Sequence, residues 1–263
     1  MPSAAGPGGD GHAPNVLEKN KGRAFFGGPA RVILTAIAIF LTGQIVAAII
    51  IGLFVASSHP RVDLADFIAD SPFAQFGLIL IAEAIAIWLV WWLLKRRQLN
   101  WRKIGFSRRP QWRDLGWGLL GLLAFYALVI VAGVVIKIIS PDTNLDQQQD
   151  VGFNELSGSL AWILSFIGLV ILPPLGEETL VRGYLYTGLR ASLRFVPALV
   201  ITSLLFGLAH YQTDSQGHLS WAIMLDTALL SVVLVYLREK SGVLYAAMVV
   251  HLLNNAVAYF IHF

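Results

Sequence analysis

The chain contains 263 residues, of which 56% are hydrophobic and only 13% are charged. Soluble domains carry about a quarter charged residues, so this composition excludes an ordinary soluble domain and indicates a polytopic membrane protein. The sequence has no cysteine, which excludes disulfides, thiolate metal ligands and a cysteine nucleophile. The net charge of +3 comes from basic residues spread beside apolar segments, which argues against nucleic-acid binding.

The chain divides into three predicted regions. Residues 1–30 are rich in Gly, Pro and Ala and show no periodic apolar pattern, which predicts a flexible tail. The apolar run that follows is too long and too far from the start for a secretory signal, so we expect a retained membrane anchor. Residues 31–113 are predicted to form N-terminal transmembrane helices and a basic loop, and residues 114–263 the functional core.

Seven apolar segments are predicted to cross the bilayer as helices, since a span needs roughly 20 such residues. They are Val32–Ser57, Phe73–Leu94, Leu115–Ile139, Leu160–Leu175, Phe195–His210, Trp221–Leu237 and Val243–Phe263. We expect Pro173 and Pro174 to bend or end the fourth helix, because proline removes a backbone donor. Residues Glu177–Leu193 add an eighth span if they also enter the membrane. The predicted fold is therefore all-α, with about seven or eight transmembrane helices around a polar intramembrane cavity.

The loops carry charges of alternating sign. The basic residues lie in the tail, after the second span and in two later loops: Lys19, Lys21, Arg23, Arg31, Lys95, Arg96, Arg97, Arg102, Lys103, Arg108, Arg109, Arg113, Arg190, Arg194, Arg238 and Lys240. The acidic residues lie in the intervening loops: Asp63, Asp66, Asp70, Asp142, Asp146, Asp150 and Glu155. The positive-inside rule then predicts a cytoplasmic N-terminus in a multi-pass protein of the cell (inner) membrane.

Two adjacent glutamates follow the proline pair. Glu178 precedes Arg182 by four residues, so the two lie on one helix face and can form an ion pair with a purely structural role. Glu177 lies about 100° around the helix from Glu178 and has no partner at helical spacing. Glu177 is therefore the stronger candidate for chemistry.

Two later motifs place polar groups in apolar helices. His210 follows Phe206 by four residues, and His251 precedes Asn255 by four. An interfacial histidine and helix-to-helix hydrogen bonds are the structural alternatives. Together with Glu177, however, these residues supply what hydrolysis needs. A carboxylate and an imidazole can deprotonate water, and a second imidazole with an amide can stabilise an oxyanion.

Glu83 is a lone carboxyl in the middle of the second predicted span. Ionisable groups inside a span are costly and often functional. We nevertheless favour a protonated or locally paired structural group at this position.

These three motifs, EExxxR, FxxxH and HxxxN in that order, resemble the signature of the CAAX protease and bacteriocin-processing (CPBP, or Abi) family of intramembrane proteases. The resemblance covers about Leu160–Phe263. It implies a membrane endopeptidase with its site in a cavity between helices, acting on a peptide or membrane-protein substrate.

The resemblance also implies residue roles. Glu177 and His210 would activate water, and His251 and Asn255 would stabilise the oxyanion. Glu178 and Arg182 would form a supporting pair, with Phe206 beside them. The family has been described as metalloproteases, so the cofactor is either none or Zn²⁺ held by Glu177, His210 and His251. We favour the metal-free glutamate base.

Two other functions fit the same polar residues. One is a non-catalytic membrane immunity or scaffold protein that keeps the motifs for structure. The other is a proton-coupled transporter, which would also use intramembrane Glu and His, although the halves show no internal repeat.

The predicted spans also raise a geometric difficulty for the proposed site. Counting residues along each helix, at about 1.5 Å per residue, puts Glu177, His210 and His251 at different depths in the membrane.

Overall fold

The computed structural model describes residues 25–147, 149–154, 156–213 and 218–263. The predicted flexible tail therefore lies outside the described residues except for 25–30, as does Glu155 of the predicted acidic loop.

All seven predicted apolar helices are present, and every regular element of the described residues is helical. The helices are α1 (Pro29–Ser58), the short α2 (Leu64–Asp70), α3 (Pro72–Arg96), α4 (Trp112–Ile139), α5 (Ser159–Arg190), α6 (Phe195–Ala209), α7 (Trp221–Ser241) and α8 (Tyr245–His262). A 3₁₀ turn at Trp101–Ile104 lies between α3 and α4. The predicted all-α fold class is confirmed.

The outer surface of these helices is apolar. Five helices, α1, α3, α4, α5 and α7, are long and apolar enough to cross a membrane, and α6 is a shorter apolar helix. Large aliphatic side chains such as Leu123, Ile138 and Ile261 are 67%, 75% and 81% exposed. Such a surface suits lipid rather than water, so the chain is a multi-pass membrane protein.

The helix starts are encoded locally. Pro29 and Pro72 lie in the first turns of α1 and α3, where a missing N–H has no intrahelical partner to lose. The Ser71 hydroxyl accepts a hydrogen bond from the Ala74 N–H and caps α3.

The structure contradicts a helix end at Pro173 and Pro174, one of the two outcomes expected there. A single helix, α5, continues from Ser159 to Arg190, although two stretches, Ile167–Ile171 and Glu178–Leu185, have π-helical turns. The first π stretch immediately precedes the prolines, and the Leu172 N–H bonds to the Ile167 carbonyl across its wider turn. The wider turn makes room for the proline rings without ending the helix.

This continuity removes one cause of the predicted mismatch in depth, namely the placement of Glu177 at the end of a span. Glu177 now lies just past the middle of α5 rather than at the end of a span. Residues of the predicted eighth span form the second half of this same helix.

Helix α5 is the centre of the bundle and packs against α1, α3, α6, α7 and α8. Around it, α1 pairs with α3, α4 with α8, and α6 with α7. The α1–α3 pair is close because Gly43 faces the backbone of α3. A Cβ at this position would lie 2.8 Å from the Ala82 carbonyl oxygen.

We expect Gly43→Ala to destabilise the protein by about 1–3 kcal/mol, because its methyl group forces α1 away from α3. Gly116→Ala is the matched control, since no atom lies within 4 Å of a Cβ at that position of α4. It should be neutral or stabilise by up to about 1 kcal/mol, the usual gain of alanine over glycine in a helix. Thermal unfolding of both variants in detergent measures the difference. Equal unfolding temperatures would contradict the close α1–α3 contact.

Candidate active site

A cavity of about 230 Å³ lies beside the middle of α5. Helix α5 contributes Glu177 with its neighbours Gly176, Leu180 and Val181, and α6 contributes Phe206, Ala209 and the following His210. Helices α1 and α3 supply the remaining wall: Phe40, Gln44, Ala82, Glu83 and Ala86. Glu177 and His210, which are far apart in sequence, therefore line one space.

The second glutamate is fully buried next to that space. Glu178 Oε1 accepts hydrogen bonds from Arg182 Nη1 at 2.8 Å and from His251 Nδ1 at 2.9 Å. The side chains of Glu178 and Arg182 are completely inaccessible to solvent. The sequence predicted the pair with Arg182, but it did not predict the bond to His251 on α8.

Glu178 fixes the orientation of the His251 ring. A carboxylate accepts hydrogen bonds, so His251 Nδ1 carries the hydrogen and Nε2 points the other way. Nε2 lies 3.8 Å from Glu177 Oε2. That oxygen has no hydrogen-bond partner among the described residues, and the Glu177 side chain as a whole is 23% exposed. The two adjacent glutamates thus face opposite nitrogens of one imidazole.

Phe206 lies between the basic groups of the site. The Arg182 guanidinium carbon lies 4.2 Å from the centre of its ring, a cation–π distance. The His210 ring is tilted against it at 4.7 Å, and the His251 ring meets it nearly at right angles at 6.0 Å. The first position of the FxxxH motif therefore packs against residues from all three motifs.

His210 follows the last turn of α6 and is held by a backbone contact. Its Nδ1 lies 2.9 Å from the Phe206 carbonyl oxygen. Since a carbonyl only accepts, Nδ1 carries the hydrogen, and Nε2 of a neutral ring keeps its lone pair. This leaves one basic nitrogen of His210 free for chemistry.

Asn255 bonds to the backbone of α5. Its Nδ2 donates a hydrogen bond to the Leu169 carbonyl oxygen at 3.0 Å. The residues four and five positions after Leu169 are Pro173 and Pro174, neither of which has an N–H to offer this carbonyl. Asn255 therefore satisfies an acceptor that the proline pair leaves free. One hydrogen of its amide is used in this way, and the second is not.

The predicted zinc ligands do not form a metal-binding set. Among the described residues, no group of three His, Cys, Asp or Glu side chains is placed to hold a metal ion. The Nδ1 atoms of His210 and His251 are both engaged in hydrogen bonds, so any metal would have to meet the Nε2 atoms, as is usual for histidine ligands. It is therefore the placement of the three side chains alone that does not fit tetrahedral zinc coordination.

Sequence reasoning missed two contributors to the cavity. It did not consider Gln44, and it treated Glu83 as unconnected to the motifs, whereas both line the cavity with Glu177. A polar residue in the middle of an apolar span was the available signal for Gln44.

Residues 159–257 match the family model described as type II CAAX prenyl endopeptidase Rce1-like. The matched segment contains all three motifs, so the predicted resemblance to the CPBP family is confirmed over these residues. No curated protein and no solved structure matches the chain. Helices α1, α3 and α4 lie outside the matched segment.

The buried Arg182–Glu178 pair should matter far more to stability than a second ion pair, which joins the end of α5 to α7. Arg182→Gln leaves a buried, uncompensated carboxylate, and we expect a loss of about 3–5 kcal/mol. Arg190 pairs with Glu239 at 2.7 Å, but these side chains are 21% and 31% exposed. Arg190→Gln should therefore cost only about 0.2–1 kcal/mol. Thermal unfolding compares the two variants, and similar losses would show that the buried pair is not critical.

Proposed function

We propose that the chain is an intramembrane endopeptidase that hydrolyses a peptide bond in a lipid-embedded peptide or membrane-protein substrate. One observation carries the proposal. A carboxylate and an imidazole, Glu177 and His210, line one cavity inside a helical bundle, and both lie in the segment that matches CAAX prenyl endopeptidases.

In the proposed reaction, Glu177 takes a proton from a water molecule that His210 helps to hold. Glu177 and His210 suit this task because both line the cavity and His210 keeps Nε2 available. A base needs hydrogen-bond reach to the water. The water oxygen then attacks the scissile carbonyl carbon, and negative charge develops on the carbonyl oxygen.

His251 and Asn255 are proposed to stabilise that oxyanion. His251 Nε2 lies on the Glu177 side of the ring, since Nδ1 is bound to Glu178, and it can donate a hydrogen bond there when it carries a hydrogen. Asn255 has its second amide hydrogen available, while the first holds Leu169. Preorganised donors of this kind stabilise a transition state because they need no rearrangement during the reaction.

Glu178 and Arg182 are proposed to act as positioning residues. Their contacts hold the His251 ring and pack Arg182 against Phe206. By the same proposal the N-terminus is cytoplasmic and the protein resides in the cell membrane.

Glu177→Gln should abolish proteolysis without unfolding the protein, because glutamine keeps the shape of the side chain but cannot accept the water proton. Membrane-peptide termini are compared in cells that carry wild type and the variant, and the termini that depend on Glu177 identify the cleaved bonds. Asn254→Ala is the control, since the Asn254 amide oxygen accepts a hydrogen bond from Tyr126 of α4 and the residue has no role in the proposed reaction.

If Glu177→Gln and His210→Ala both insert and leave every terminus unchanged, the protein is a non-catalytic membrane factor instead.

We expect the purified protein to contain no stoichiometric zinc and to keep its activity after treatment with a chelator. The reason is that Glu177, His210 and His251 are not placed as a set of three metal ligands. Elemental analysis and a peptidase assay before and after chelation measure both quantities. One zinc per chain, with activity lost to the chelator and restored by zinc, would contradict the metal-free mechanism.

A further inference from the structure

The wall of the cavity opposite α5 contains two polar groups. Gln44 of α1 and Glu83 of α3 line it, among the apolar side chains of Phe40, Ala82 and Ala86. Both helices lie outside the matched segment, so the family motifs give no role to either residue. A carboxyl in the middle of a transmembrane helix is costly and therefore calls for a function.

Glu83 reaches the position next to Glu177. Its carboxylate lies against Gly176, and a Cβ at Gly176 would collide with Glu83 Oε2 and lie 2.7 Å from Glu83 Cδ. Any larger residue at position 176 would thus displace this carboxyl. Because Gly176 directly precedes Glu177, the carboxyls of Glu83 and Glu177 approach one small space from adjacent helices.

No cation neutralises Glu83 in the described part of the chain. The nearby arginine of α5, Arg182, is already bonded to Glu178, and the described contacts join Glu83 to no hydrogen-bond donor. Two carboxylates in one small cavity with low dielectric disfavour double ionisation, so such a pair retains one proton. Glu177 has His251 Nε2 beside it and Glu83 does not. The retained proton therefore belongs on Glu83.

We propose that Glu83 is the general acid of the hydrolysis and donates its proton to the leaving amine nitrogen. This inference rests on the proposed function, because it assigns a further catalytic residue to the same reaction. Glu177 and Glu83 then divide the two proton transfers that the cleavage of an amide requires.

Atoms, protons and electrons balance in this reaction. Glu177 accepts a proton from water as the new C–O bond forms. The C–N bond breaks with its electron pair on nitrogen, and nitrogen receives the proton of Glu83. One water is consumed, and a carboxylic acid and an amine are released. Transfer of the proton from Glu177 to Glu83 across the shared cavity restores the starting state.

A change of leaving group tests this assignment. The full chain is assayed in lipid nanodiscs with a farnesylated CAAX peptide and with its thioester analogue, in which sulfur replaces the scissile N–H. A thiolate leaves without a proton, since a thiol has a pKa near 8.5, whereas an amine does not. Only cleavage of the amide should therefore need the general acid.

Glu83→Gln should slow cleavage of the amide on the order of 10²-fold, the usual contribution of a general acid. It should leave thioester cleavage near the wild-type rate. Glu83→Asp keeps a transferable proton and should restore part of the amide rate. The matched control is Asp226→Asn, which alters a partly buried carboxyl of α7 that does not line the cavity, and it should change neither rate.

Three results overturn the inference. Glu83→Gln with normal amide cleavage shows that no proton from Glu83 is needed. Equal slowing of both substrates by Glu83→Gln and Glu83→Asp, with unchanged unfolding temperatures, shows that Glu83 only shapes the cavity. In both cases Glu177→Gln still abolishes both cleavages, so the proposed function stands. Wild type that cleaves neither substrate, in cells that also show no Glu177-dependent terminus, removes the proposed function and this inference with it. Where such termini exist, the amide and thioester pair is built on the mapped cleavage site instead.

Discussion

The site depends on a single buried oxygen, Glu178 Oε1, which accepts hydrogen bonds from Arg182 on its own helix and from His251 on α8. A carboxylate without solvent contact needs such partners, since an unpaired charge there is strongly destabilising. Adjacent residues on a helix are about 100° apart. Once Glu178 is turned into the protein to meet Arg182 and His251, its neighbour Glu177 faces the cavity. The ion pair thus determines which of the two glutamates is available for chemistry.

The proline pair provides a second connection between the same two helices. Pro173 and Pro174 leave the Leu169 carbonyl without a helical donor, and Asn255 of α8 supplies one. His251 and Asn255 therefore each bond to α5, one to a side chain and the other to the backbone. The HxxxN motif has a structural reason as well as a proposed catalytic one. Its four-residue spacing presents both side chains on the face of α8 that meets α5.

Much of the fold was predictable, because an apolar segment long enough to cross a bilayer predicts a transmembrane helix. The path of α5 was not, since proline predicts a break and only the three-dimensional structure shows a π turn that accommodates it. The local pair of Glu178 and Arg182 followed from helical spacing. The hydrogen bond between Glu178 and His251 joins positions 73 residues apart. Helical spacing predicts contacts only between residues three or four positions apart, so it could not predict this one. For the same reason the sequence did not connect Gln44 or Glu83 with Glu177.

Two parts of the chain form the cavity, and different contacts hold each part in place. The segment that matches the protease family supplies Glu177 and His210, held by contacts among α5, α6 and α8. The opposite wall comes from α1 and α3, whose close approach depends on Gly43 rather than on any of the three motifs. Residues on that wall can therefore change without disturbing the contacts of Glu178. It follows that chains sharing all three motifs can differ in what reaches Glu177, because the shape and polarity of the space before it are set by helices outside the motifs.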